Sequence, residues 1–123
     1  MSPEIGAQRQ FIERRGGPAY DWNQTTLTLD AAPHSLDLSS IVPVNALWVK
    51  FLVTLTAPTN PRSISFRPTT AVVPLWADSV FSFNAPLSST AEIFLKLSSP
   101  QLAAYAVSSQ ITLITLRVLG WML

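Results

Sequence analysis

From Thr25 onward the chain is written in short runs of β-branched and aromatic residues, separated by Pro, Asn, Ser and Asp. Thr26 to Asp30 alternates, with Leu27 and Leu29 on one face, and Ser35 to Leu38 repeats the pattern with Leu36 and Leu38. Ala31-Ala32-Pro33 is the turn between them. The clearest strand is Ala46 to Thr56: Leu47, Val49, Phe51, Val53 and Leu55 share one face, and Trp48, Lys50, Leu52 and Thr54 the other. With Lys50 its only charge, this strand is expected to be covered on both faces. Ser63 to Arg67 points Ile64 and Phe66 inward, and Ala71 to Leu75 is a weaker strand that Pro74 confines to an edge or a bulge. Ser79 to Asn84 aligns Phe81 with Phe83. Glu92 to Ser98 sends Ile93, Leu95 and Leu97 inward and Glu92, Phe94 and Lys96 outward. Tyr105 to Val107 and the long run Gln110 to Leu119 complete the set. Short strands at intervals near ten residues, with no helix in the body, predict an all-β fold. The expected form is an antiparallel β-sandwich or jelly roll of about eight strands. Leu47, Val49, Phe51, Val53, Ile93, Leu95 and Leu97 are its expected core.

Residues 1–22 differ in character, being polar and punctuated by Gly6, Gly16, Gly17 and Pro18. Gln8 to Arg15 suggests a short helix with Phe11 and Ile12 as its apolar residues. A helix that short is marginal alone, so the segment reads as an extended N-terminal arm ordered by a neighbour. The chain thus divides into an arm, 1–22, and a β-sandwich domain, 23–123.

Only 12% of the 123 residues are charged, about half the usual share, while 48% are hydrophobic. Residues 1–21 hold six of the fifteen charges, Glu4, Arg9, Glu13, Arg14, Arg15 and Asp21, leaving nine for the other 102 positions. A surface so poor in charge is weakly protected against association, which points to a homo-oligomer buried among other subunits. A net charge of +1 gives no electrostatic case for nucleic acid. No apolar run is long enough for a membrane helix, and Met1-Ser2-Pro3-Glu4 lacks the start of a secretory signal, so synthesis in the cytoplasm is expected. The absence of cysteine excludes disulfides and thiolate metal sites.

Candidate chemistry is sparse. His34 is the single histidine, and Asp30, Asp37, Asp78 and Glu92 lie at strand ends or on polar faces, where a turn cap or a solvated face accounts for them. No glycine loop is suited to phosphate, and Asn23-Gln24-Thr25 matches a glycosylation acceptor without a secretion signal to make it one. No catalytic residue, cofactor or metal is expected, and the chain reads as non-enzymatic. Aromatic residues are the stronger signal: Tyr20, Tyr105 and the four tryptophans suit a platform for sugar stacking, with Trp22 and Trp76 the loop-like ones, and Trp22, Trp48, Trp76 and Trp121 also suit an interface. With Phe11, Ile12, Arg14 and Arg15 of the arm, they form the candidate interface set.

The run from Leu36 through Asp37-Leu38-Ser39-Ser40-Ile41-Val42-Pro43-Val44-Asn45 to Ala46, followed by the strand Leu47 to Leu55, resembles small β-sandwich domains of tailed-bacteriophage virion proteins. The ending Val118-Leu119-Gly120-Trp121 is similar to their closing strand, so the resemblance spans Leu36 to Leu123. It implies a structural protein of the virion. A polar arm on a compact sandwich suits a capsid decoration or cement protein that binds the major capsid protein and self-associates. Such proteins favour a trimer on local threefold positions. A tail fibre, spike or carbohydrate-binding receptor module is the alternative.

Overall fold

The structure is a computed structural model that describes residues 10–58, 62–67, 78–82 and 88–123. Nine strands are present among them: β1 (Phe11–Glu13), β2 (Trp22–Asn23), β3 (His34–Asp37), β4 (Trp48–Thr56), β5 (Arg62–Arg67), β6 (Asp78–Ser82), β7 (Ser89–Lys96), β8 (Leu102–Val107) and β9 (Leu113–Met122). They form two antiparallel sheets. Sheet A has the order β1-β9-β4-β7, with β2 also on β9, and sheet B has the order β3-β8-β5-β6.

Period-two alternation drives the packing. Along β4, Val49, Phe51, Val53 and Leu55 are fully buried, alternating with half-buried Trp48, Lys50, Leu52 and Thr54. Ile93 and Leu95 of β7 and Ile114, Leu116 and Val118 of β9 join them from the same sheet, and Ile64, Phe66, Tyr105 and Val107 face them from sheet B. Phe51 and Phe66 stack across the gap, with centroids 5.3 Å apart and planes 12° from parallel.

Three expectations are corrected. Leu47, assigned to the core, is 41% exposed: it lies one residue before β4, and its side chain lines an open hollow with Val44, Ala46 and Leu97. The helix expected over Gln8 to Arg15 is β1 at Phe11–Glu13, where pairing to β9 satisfies backbone groups that a lone short helix would leave open. Thr26 to Asp30 is not a strand. The Asn23 side chain accepts from the Thr25 N–H at 2.9 Å, and the Leu27 N–H returns to the Asn23 carbonyl, which closes a turn. The Thr28 N–H then donates to the Tyr105 hydroxyl at 2.9 Å, and Leu27 still reaches the core. Strands expected around Ala71 to Leu75 and beyond Ser82 lie outside the described residues.

The outer edge of β9 is closed by an interrupted strand. β1 pairs with Gly120 to Met122, and β2 pairs with Thr115 and Leu116. Between them the chain loops out through Gly16 and Gly17, both at positive φ, which glycine adopts without strain. Asp21 fills the gap in the ladder: its carboxylate accepts from the Val118 N–H at 2.8 Å and from Arg14 Nη1 at 2.7 Å. Arg14 N–H donates to the Leu119 carbonyl and Asp21 N–H to the Leu116 carbonyl. Residues 10–14 and 21–22, expected in the arm, are therefore bonded along sheet A, with the loop between them.

Candidate interface on sheet A

The outward face of sheet A breaks the rule that a solvated face is polar. Trp48 of β4, Phe94 and Lys96 of β7 and Met122 of β9 line an open depression of about 450 Å³. Trp48 lies opposite both Lys96 and Met122, and Met122 lies opposite Phe11, so one row across four strands is largely apolar. Phe11 meets Phe94 edge to face, with centroids 5.8 Å apart. It can do so because Gly120 lies between: a Cβ there would collide with the Ile12 carbonyl and the Phe11 ring. β9 also carries an irregularity here, since Lys50 faces Gly120 but Phe51 faces Val118.

Lys50 Nζ sits 5.7 Å from the centroids of both Phe11 and Phe94, and 2.9 Å from the Glu92 carboxylate. Its charge is thus held by two aromatic rings and one carboxylate. A second, more polar hollow of about 260 Å³ adjoins, lined by Phe11, Glu13, Arg14, Lys50, Glu92, Arg117 and Leu119. Val44 (63% exposed) and Leu47 line a separate hollow with Ala46 and Leu97. The Leu47 N–H bonds the Met122 carbonyl, and the Leu97 N–H bonds the Leu47 carbonyl.

The eight expected interface residues are not all in one place. Phe11 and Trp48 share the outward face. Ile12 lies directly opposite Trp121, and Trp121 packs against the core, as does Trp22. Arg14 is committed to Asp21 within its own chain, Arg15 is exposed, and Trp76 lies outside the described residues. Phe94 and Met122 are additions. Phe94 had a signal, as the one aromatic residue between Glu92 and Lys96 on an outward face.

Two of the other candidate carboxylates, Asp30 and Asp37, serve turns, and the side chain of Asp78 lies outside the described residues. The Asp30 carboxylate accepts from the Ala32 N–H at 2.9 Å and pairs with His34 Nε2 at 2.8 Å, and these bonds, the backbone one first, hold its pKa below the ordinary aspartate value. Asp37 is lowered in the same direction by hydrogen bonds from the Ser39 side chain and backbone N–H. Among the described residues no group of three or more His, Cys, Asp or Glu is placed to hold a metal ion, and no helix is long and apolar enough to cross a membrane. No family model, curated protein or solved structure matches the chain.

Proposed function

We propose that the chain is a structural, non-enzymatic subunit of a virus particle, acting as a capsid decoration protein that self-associates and binds the shell. The observation that carries this reading is the aromatic row on the outward face of sheet A. In a domain with so few charges, Phe11, Trp48, Phe94 and Met122 are left to be covered by another surface. The strand order supports it. Counting β1 and β2 as one interrupted strand gives eight strands in two four-stranded sheets, and the chain changes sheet at every step except β5 to β6. We read this order as a jelly roll, an architecture used by viral capsid and lectin domains, although fold alone assigns no function.

Co-sedimentation with undecorated phage shells tests the reading. The protein is expected to pellet with shells, and Trp48→Ser or Phe94→Ser to lower the bound fraction without unfolding it. Failure of the wild-type protein to bind any shell overturns it. The open depression beside Trp48 and Phe94 favours one second reading, a carbohydrate-binding module of a fibre or spike, since sugar faces stack on aromatic rings. Saturable binding on a glycan array, lost in Trp48→Ser, would replace the first reading with the second.

A further inference from the structure

The two edges of sheet A are treated differently. The edge of β9 is closed by β1, β2 and the Asp21 carboxylate, whereas β7 ends the sheet on the other side with no strand beyond it among the described residues. β7 is eight residues long, pairs with β4 in unbroken register from Ser89 to Lys96, and carries no proline. Proteins normally blunt such an edge with proline, a bulge or an isolated charge. β7 instead carries one charge of each sign on its outward face, Glu92 and Lys96, with Phe94 midway between them.

That spacing selects a partner. We infer that β7 pairs antiparallel with β7 of a second copy about a twofold axis at Phe94, joining the two A sheets into one. Antiparallel neighbours that lie directly opposite share a face, so only registers that oppose outward to outward residues keep the sheet continuous. With Phe94 opposite Phe94 of the other copy, Glu92 falls opposite Lys96 twice, and Ile93 falls opposite Leu95 on the core side. Centring the axis on Glu92 opposes two carboxylates, and centring it on Lys96 opposes two ammonium groups. Centring it on Ile93 or Leu95 leaves each charge facing an uncharged residue. The register at Phe94 alone satisfies every charge. It also extends the edge-to-face contact of Phe11 and Phe94 into a four-ring row across the joint. A twofold interface of this kind gives a dimer in place of the trimer that the phage resemblance implies.

The pairing needs no particle, so it is tested on the purified full chain by sedimentation equilibrium. A monomer–dimer equilibrium is expected. Glu92→Lys and Lys96→Glu should each weaken it about tenfold or more, by replacing two attractive pairs with two repulsive ones. The double reversal E92K/K96E should restore it, and Lys50, facing Phe94, keeps a carboxylate on one diagonal or the other. Thermal melting of each variant separates loss of pairing from loss of fold. As a second measure, the chain has no cysteine, so Phe94→Cys places one thiol on the axis, where opposed Cα atoms lie within disulfide range. Oxidation should cross-link F94C and leave Thr90→Cys uncross-linked. A monomer at all concentrations, a dimer indifferent to charge reversal, or equal cross-linking of both cysteine variants would each overturn the inference. A dimer that ignores shells would remove the virion reading and leave this one, and a monomer that binds shells would do the reverse.

Discussion

Phe51 has no exposed surface and stacks on Phe66, so its ring is the part of the core that both sheets share. Phe51→Ala is expected to cost about 3 to 5 kcal/mol in urea denaturation, because the lost transfer energy is joined by a cavity that rigid sheets fill poorly. Gly120 tests the opposite error. Its missing Cβ leaves room for the Phe11 ring and the Ile12 carbonyl, so Gly120→Ala should destabilise by about 1 to 3 kcal/mol and separate the Phe11 and Phe94 rings, which comparison of the two proteins by NMR would check. Asp30 and Asp37 set a pH dependence whose sign follows from their bonds. Both carboxyls titrate below the ordinary value when folded, so their stabilisation is complete above about pH 4 and fades as pH falls through the folded values. Asp30→Asn with Asp37→Asn should therefore flatten the acid limb of a plot of melting temperature against pH. Side-chain direction was legible at this scale wherever alternation held: Val49, Phe51, Ile93 and Leu95 are inside, and Phe94 is outside. Leu47 escaped it because a pattern of two does not mark the residue at which the pleat begins.

Among the elements, the Arg14–Asp21 pair substitutes for a missing stretch of strand. Both side chains are largely shielded, at 15% and 6% exposure, and Asp21 also holds the Val118 N–H. Asp21→Ala strands two donors and should cost about 1 to 3 kcal/mol by chemical denaturation, while Asp21→Asn, whose amide oxygen still accepts, should cost less. None of this is visible in a linear reading. The polar composition of residues 1–22 says only that the segment lacks a core of its own, and its partner in β9 lies about a hundred positions away. The segment Thr26 to Asp30 shows the converse. Its alternation correctly sent Leu27 inward, but the Asn23 turn and the Tyr105 hydroxyl had already taken the backbone groups that a strand would use.

For the whole molecule, deleting residues 1–22 should lower the melting temperature and promote aggregation in light scattering, because it uncovers the edge of a ten-residue strand. An unchanged melting temperature would mean that the pairing of β1 and β2 contributes nothing to stability. The all-β class and the facing of both strand sets were readable from periodicity. The order of strands within each sheet was not, since alternation names the buried face but not the neighbour. That order fixes a timetable. Among the described residues β9 is the only strand that β1 and β2 pair with, and it separates them from β4 in the finished sheet. While a ribosome is still making residues 113–122, β4 and β7 can already pair, but β1 and β2 have been synthesised without the strand they pair with. Completion of this sheet must therefore follow synthesis of its last strand. Such distant pairings give slow folding, leaving the edge of β4 that will take β9, in a nearly uncharged strand, open in the interval.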